Sequence, residues 1–295
     1  MLLALHCCAL ATALQEPMLL LAQTAARAAG RHMISRLGAC VEATKLDSAD
    51  LVTAVDAECQ EIVERHIRER YPTHALLGEE SVAPGIEAAM DALRVSSAAS
   101  EYLWIIDPID GTTNFVAGLP LCAVSVGLTR RGERLAGVVY DPFRDELFSA
   151  WRGEGATLNG APMRASGADS LGEAVLCACA PHNPAALRPA LRSIEAVMPV
   201  ARSVRILGSG VLNFAWVACG RLDAYWEPEL APWDSAAGTL LVEEAGGCVS
   251  DMDGSPYRLR TRAVLGSAPG VHVELQRLLE GARATRSEDL EGAQT

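Results

Sequence analysis

Carboxylates recur in this chain at points where one expected element gives way to the next: Asp56, the pair Glu79 and Glu80, the pair Asp107 and Asp110, and Asp234. The densest block is Trp104-Ile105-Ile106-Asp107-Pro108-Ile109-Asp110-Gly111-Thr112-Thr113-Asn114-Phe115. There a buried strand is broken by proline directly after one acid, and a second acid precedes glycine and two threonines. Two carboxylates three residues apart on such a turn can face one cavity, and the Ile109 carbonyl between them can join as an oxygen ligand. Oxygen donors with no nearby histidine or cysteine favour a hard cation, so Mg2+ is expected over zinc, with Mn2+ as a substitute. Past Gly111, residues 112–116 can open a helix, turning the Gly111 and Thr112 amides towards the same cavity, where they attract phosphate. A turn alone explains aspartate before glycine but gives no reason for a second acid beside Pro108.

The elements that must carry these groups follow from periodicity. From Pro17, at a plausible first helical position, Leu20, Leu21, Ala25, Ala28 and Ala29 form an apolar stripe that ends before Gly38. A second helix follows Thr53, with Cys59, Ile62, Val63, His66 and Ile67 on one face, and stops at Tyr71-Pro72. Residues 74–77 and 102–106 read as buried strands with acids at their C-terminal ends, and residues 84–100 as an exposed excursion with little chemistry. Residues 121–128, 135–140 and 146–151 suggest an antiparallel meander. Residues 184–198 and 211–219 are helical, 203–207 and 221–226 extended, and a last helix spans 235–245, closed by Gly246-Gly247. No internal repeat is visible.

Length and composition bound the rest. Half of the 295 residues are hydrophobic, enough for a substantial core. The net charge of -12 disfavours nucleic acid as the main partner, and an acidic protein handling an anion needs local cations. Nine cysteines without a C-x-x-C pair fit neither a disulfide framework nor a zinc site, and Cys59, Cys122, Cys219 and Cys248 read as small buried hydrophobes. The apolar start with Ala11-Thr12-Ala13 lacks a basic flank and is too short to span a bilayer. Residues 1–15 are therefore set apart as a leader or disordered extension, residues 16–281 as the catalytic domain, and 282–295 as a disordered tail. A soluble chain, cytoplasmic or organellar, such as in a plastid, is expected.

Plainer readings stand beside these. Asp56 lies three residues after Thr53, so the pair can form a capping-box-like helix start, and Asp234 can cap its helix as well as bind a cation. Adjacent residues on an extended segment point oppositely, so only one of Glu79 and Glu80 leads into the cavity. His66 reads as a satisfied core histidine, Lys45 as a solvated lysine or a loop contact near the metals, and Tyr225 and Trp226 as core or wall.

Four ordered motifs closely resemble the inositol monophosphatase family, part of the magnesium-dependent, lithium-sensitive phosphatase superfamily. They are Lys45-x4-Asp50-Leu51-Val52-Thr53-x2-Asp56; Gly78-Glu79-Glu80-Ser81; residues 104–115; and Pro232-Trp233-Asp234-Ser235-Ala236-Ala237-Gly238 with Glu243-Glu244-Ala245-Gly246-Gly247. The resemblance implies the layered α/β (α+β) sugar-phosphatase fold of alternating helix and sheet layers, and a homodimer. It implies one magnesium on Glu79, Asp107 and the Ile109 carbonyl, and a second on Asp107, Asp110 and Asp234. It gives Thr112, oriented by Asp56, and Glu79 the positioning of the attacking water. The Gly111 and Thr112 amides would hold phosphate, with Glu79, Ile109 and Asp110 beside it, and Gly208, Ser209, Gly210, Glu227 and Asp234 would face the polyol. Ser209 and Gly210 stand where many relatives have threonine and alanine, and residues 177–184 depart from the usual wall. The implied activity is release of phosphate from a small polyol monoester, first inositol 1-phosphate. Histidinol phosphate or galactose 1-phosphate are alternatives, nucleotides rank last, and a binding protein of the same fold without turnover is the reading from another class. No membrane or nucleic-acid partner is expected.

Overall fold

Two sheets, each held between helices, build this computed structural model, which describes residues 2–37, 43–44, 51–52, 54–181 and 183–284. In chain order come α1 (Leu2–Ser35), the antiparallel pair β1 (Ala43–Thr44) and β2 (Leu51–Val52), α2 (Ala54–Arg70), β3 (Ala75–Gly78), a 3-10 turn (Glu79–Ser81), α3 (Ile86–Ala99), β4 (Tyr102–Asp110) and α4 (Thr112–Val116). There follow β5 (Ala123–Arg130), β6 (Glu133–Asp141), β7 (Glu146–Trp151), β8 (Gly155–Leu158), β9 (Ala161–Pro162), β10 (Val175–Ala178), α5 (Pro184–Val197), β11 (Ser203–Ile206) and α6 (Gly210–Ala218). The chain continues through β12 (Ala224–Glu227), α7 (Pro232–Glu244), β13 (Cys248–Asp251), β14 (Val264–Ser267) and α8 (Pro269–Gly281).

The larger sheet has the order β3-β4-β5-β6-β7-β8-β9, parallel at β3 and otherwise the expected antiparallel meander. The smaller sheet has the order β11-β10-β12-β14-β13. Strand alternation assigns the faces. Trp104, Ile106, Val124, Val126 and Val138 pack under α1 and α2, on Ala25, Ala29, Cys59 and Val63. Helices α6 and α7 fill the space between the sheets through Phe214, Leu240 and Leu241, against Phe148 and Tyr225. On the far side Leu176, Trp226 and Leu265 meet Val271, Leu275 and Leu279 of α8. The result is five alternating layers of helix and sheet, as the layered α/β expectation requires.

Several expectations change. Helix α1 begins at Leu2, so residues 2–15 continue it and Pro17 stands inside the helix instead of at its start. Its buried stripe is Met18, Ala22, Ala25, Ala26, Ala29 and Met33, while Leu20 is 62% exposed. Small residues win that face because the helix presses on the sheet: a Cβ on Gly30 would lie 2.5 Å from the Tyr140 ring. Residues 84–100, read as an excursion, contain α3, whose Ala89 and Leu93 bury against Leu77, Leu103 and Ile105. The strand read as ending at residue 106 continues to Asp110. Helix α8, with Val271, Leu275 and Leu279 in an i, i+4, i+8 stripe, follows the helix expected to be last. Cys219 and Cys248 are half-buried, and these thiols are free, as are Cys59, Cys122, Cys177 and Cys179. Lys45, Asp50, Thr53 and residues 285–295 of the expected tail lie outside the described residues. Among the described residues no helix is long and apolar enough to cross a membrane.

Helix α7 sets the distance between the sheets. A Cβ on Gly137 would lie 2.6 Å from the Ala237 carbonyl oxygen, and one on Gly238 would lie 2.6 Å from the Phe214 Cβ. The Ala236-Ala237-Gly238 run thus lets one helix touch β6 and α6 at once. Gly137→Ala should force α7 off the sheet at a cost of about 1–3 kcal/mol. Urea unfolding would measure it, and an unchanged midpoint would contradict this packing.

Candidate metal centre and active site

A β-bulge is the device that brings two of the acids together. Asp107 pairs with Ser125 and Asp110 with Ala123, so three steps along β4 match two along β5. Leu103 and Ile105 face α7, whereas Trp104 and Ile106 face α1 and α2. In a regular strand Asp107 and Ile109 would share a face and Asp110 would point the other way. The extra residue reverses the parity after Asp107: Ile109 joins the core under α1 and α2, and Asp110 turns to the side that Asp107 occupies. Pro108 sits inside the bulge, where no ladder hydrogen bond needs its missing N–H. The Asp107 carboxylate accepts from the Ile109 amide at 3.1 Å, which fixes the bend.

The third acid arrives from α7. The helix begins at Pro232, three residues before the expected start, so Asp234 stands at its third position instead of at the N-cap and reaches back to accept from the Ala231 amide at 2.7 Å. Asp107, Asp110 and Asp234 each bring a carboxylate oxygen within 4.8 Å of the others. Asp110 additionally accepts from the Ser209 hydroxyl, from Val211 N at 2.9 Å and from Gly210 N at 3.3 Å, so it also caps the start of α6. Burial pushes the Asp110 carboxyl up to about 6; Ser209 and the α6 amides oppose the rise, and the Glu79 charge adds to it. Asp234 is raised well above the usual carboxylate range, first by burial and then by the charges of Glu79, Asp110 and Glu227.

These groups open on a cavity of about 540 Å³ lined by Glu79, Asp110, Glu227, Glu229 and Asp234, with no lysine, arginine or histidine among its described lining residues. Glu79, in the 3-10 turn after β3, lines it, while Glu80 does not. Glu79 stands outside the close triad of aspartates, near enough for its charge to act on two of them. These hard carboxylate oxygens, with Asp110, Glu227 and Asp234 raised first by burial, have the donor chemistry of a divalent-cation site.

Beside the triad, Thr112 opens α4. Its hydroxyl lies 3.3 Å from Asp56 Oδ1 and 3.1 Å from the Ile109 carbonyl, two acceptors for one hydrogen. Asp56 is buried on α2, and the Ile109 carbonyl is thereby already engaged by a hydroxyl. Gly111 precedes the helix at φ +91, and a Cβ there would lie 2.9 Å from Leu121 O and 3.1 Å from Gly208 O, so both conformation and space demand glycine. Asn114 clamps the turn, donating from Nδ2 to Leu121 O and Leu207 O, both at 2.8 Å.

At the far wall Glu227 ends β12. The Tyr225 hydroxyl donates to it, and burial pushes its carboxyl up to about 7 against the opposing hydrogen bonds of Cys179 and Tyr225. A Cβ on Gly210 would lie 2.9 Å from the Tyr225 hydroxyl. Tyr225, expected as core or wall, is both, meeting the Phe214 ring edge-on at 4.8 Å. Cys179 and Glu229 were missed. The Asn183 amide donates to Glu229 at 2.5 Å, and Arg262 pairs with Glu229 at 2.5 Å and Glu87 at 3.0 Å, joining α5, the far wall and α3 around the mouth. No local motif marks them, because their partners are distant in sequence. His66 bonds the Ile62 carbonyl at 2.8 Å, as a satisfied histidine would.

Known proteins resemble this chain along most of its length. Residues 14–288 match the inositol monophosphatase family. The Nus factor SuhB of Pseudomonas aeruginosa is 41% identical over 246 residues, covering 81% of this chain and 87% of that one. Inositol monophosphatase 3 of Solanum lycopersicum is 41% identical over 228 residues, 76% of this chain and 81% of that one. The solved inositol monophosphatase of Anabaena (Nostoc) sp. PCC 7120 superposes with a TM-score of 0.77 at 35% identity, over 90% of this chain and 96% of that one. Together with the bulge that converges its aspartates, these matches make the chain a member of the inositol monophosphatase family.

Proposed function

We propose that the chain hydrolyses the phosphate monoester of a small polyol, inositol 1-phosphate foremost, with Mg2+ bound at the aspartate triad and Mn2+ able to replace it. The observation that carries the reading is the convergence of Asp107, Asp110 and Asp234, the last two lining a cavity whose described lining holds five carboxylates and no basic side chain. An anionic ester enters such a site only if cations offset the acids. Asp107, Asp110, Asp234, Glu79 and the Ile109 carbonyl would hold the metal, which when bound supplies Lewis-acid stabilisation of phosphate and leaving-group charge and lowers the pKa of water.

The chain's own residues do the rest. By donating to Asp56 or to Ile109 O, the Thr112 hydroxyl keeps its lone pairs free to accept a hydrogen bond from the attacking water. Glu79 takes the proton. The Gly111 and Thr112 amides, ahead of the first α4 hydrogen bond from Phe115 N to Gly111 O, orient the phosphate oxygens. Glu227 and Asp234 accept from the polyol hydroxyls, and Gly208, Ser209 and Gly210 shape that end of the pocket. Ser209 acts through the Asp110 carboxylate to which it donates. The homodimer and lithium sensitivity of the family belong to the same reading. A second reading, a Nus-factor role without need for turnover, is favoured by the names of the SuhB relatives.

Phosphate release with Mg2+, measured over inositol 1-phosphate, galactose 1-phosphate, histidinol phosphate and nucleotide monophosphates, should be fastest with inositol 1-phosphate and vanish on chelation. Silence across the panel would favour the second reading. Asp234→Asn keeps the acceptor for the Ala231 amide but removes a raised, repelled charge. It should lower kcat/KM by more than the ~100-fold that outer partners of metal ligands cost. The metal-free variant at pH 8 should be more stable than the parent by about 1 kcal/mol, read from urea unfolding.

The raised Glu227 carboxyl has a definite sign. Between its ordinary value of 4.5 and about 7 the folded chain keeps a proton that the unfolded chain has lost. The Glu227 contribution to the stability of the metal-free protein is thus full below pH 4.5 and is lost as pH rises through 7, by up to about 3 kcal/mol. Unfolding of the parent and of Glu227→Gln in chelator across this range should show the parent losing stability relative to the variant; a constant difference between the two would contradict it.

A further inference from the structure

We propose that Gln60 is a positioning residue for Glu79, holding its turn in register with Thr112. The inference rests on the reading of Glu79 as a metal ligand and proton acceptor. Glu79 stands in a single 3-10 turn, Glu79–Ser81, with no buried residue and one closing bond, from Val82 N to Glu79 O at 3.1 Å. Such a turn does not by itself fix a side chain to the tolerance that ligation or proton transfer requires.

Gln60 adds a constraint on this turn from the neighbouring helix α2. Its Oε1 accepts from Glu80 N at 2.9 Å, and its Nε2 donates to Ser81 Oγ at 2.7 Å and Glu64 Oε1 at 3.0 Å. Both amide hydrogens are used, and the side chain is 6% exposed. The amide orientation is unambiguous: reversed, it would set an NH2 against the Glu80 N–H and a carbonyl against the Glu64 carboxylate.

Gly78 gives a second, independent sign of the clamp. Its φ of -106 and ψ of 143 suit any residue, so conformation does not require glycine there. With the Gln60 amide bonded to the turn, a Cβ would lie 2.3 Å from Gln60 Cδ and Oε1 and 2.7 Å from Nε2, so a larger residue here would have to displace that amide. The glycine of the Gly78-Glu79-Glu80-Ser81 motif is therefore the seat of the Gln60 amide.

Gln60 belongs to a row. Asp56, Gln60 and Glu64 follow at i, i+4 and i+8 on α2, all buried, at 1%, 6% and 8% exposure. Beside them Cys59, Val63 and Ile67 anchor the helix in the core. Asp56 meets the Thr112 hydroxyl, and Gln60 meets the Glu79 turn one helical turn later. One rigid helix thus sets the distance between the two groups that address the attacking water.

The test compares the full chain with Gln60→Ala, Ser81→Ala and the exchanged pair Gln60→Glu with Glu64→Gln. Mn2+ affinity is read by titration calorimetry, and kcat and KM for inositol 1-phosphate at saturating Mg2+. Gln60→Ala should weaken Mn2+ binding ~10-fold or more and lower kcat by a similar factor, with KM within ~3-fold. The exchanged pair restores an acceptor opposite a donor and should recover most of both. Gln60→Ala with parental Mn2+ affinity and kcat would overturn the proposal. If Gln60→Ala does not fold, exposed Ser81→Ala decides: a ~2–5-fold loss of Mn2+ affinity supports the clamp and parental affinity refutes it. A parent chain that binds no Mn2+ defeats instead the reading of the site on which the clamp depends.

Discussion

Three carboxylates forced to share one small volume are the constraint around which this molecule is organised. With oxygens of Asp107, Asp110 and Asp234 within 4.8 Å of each other, like charges repel by about 3 kcal/mol per pair at an effective dielectric near 20. Desolvation adds to that cost and is the first cause of the raised Asp110 and Asp234 carboxyls, with the Glu79 charge adding at both and the Asp110 charge at Asp234. Local hydrogen bonds offset only part: the Ile109 amide at Asp107, the α6 amides and Ser209 at Asp110, the Ala231 amide at Asp234. What holds the acids in place is the packing of three layers, the β4 bulge on one side and the starts of α6 and α7 on the other. A fold that spends stability in this way at one point is best understood through what it binds there.

The motifs divide into those that touch the cavity and those that fix the frame. Asp110, Gly111, Thr112 and Asp234 belong to the first group, with Asp107 buried behind them and an oxygen within 4.8 Å of those of Asp110 and Asp234. Ala236, Ala237 and Gly238 belong to the second, as the small residues that let α7 fit between β6 and α6. So do Glu243, paired with Arg134 at 2.8 Å, and Glu244, which accepts from Gly153 N and Gly155 N at 2.9 Å each. These two glutamates tie the far end of α7 to the larger sheet and leave its N-terminal acid pointed at the site. Their chemistry is mechanical, although they lie on the same helix as Asp234.

The pairing of Asp107 with Asp110 was legible because both sit beside turn signals, Pro108 and Gly111; the start of α7 at Pro232 was not, since the helix reads as opening at residue 235. The meander and α2 were readable from apolar periodicity. The full length of β4 was not, since Pro108 reads as a strand breaker and a bulge accommodates it only when β5 is present to define the ladder. Helix α3 was obscured by its Ser- and Ala-rich exposed face, and α8 by the Pro269-Gly270 pair at its start, which reads as a turn. Gln60, Cys179, Glu229 and Arg262 escaped for another reason. Their roles come from partners 20 or more positions away, and an isolated glutamine or arginine on a helix or loop looks the same whether it faces water or a turn.

The central claim is that these acids converge in order to hold divalent cations. Anomalous diffraction from crystals grown with Mn2+ tests it most directly. The account predicts an anomalous peak bounded by carboxylate oxygens of Asp107, Asp110 and Asp234, lost in Asp107→Asn. Well-ordered density for all three side chains with no anomalous scatterer among them would contradict it.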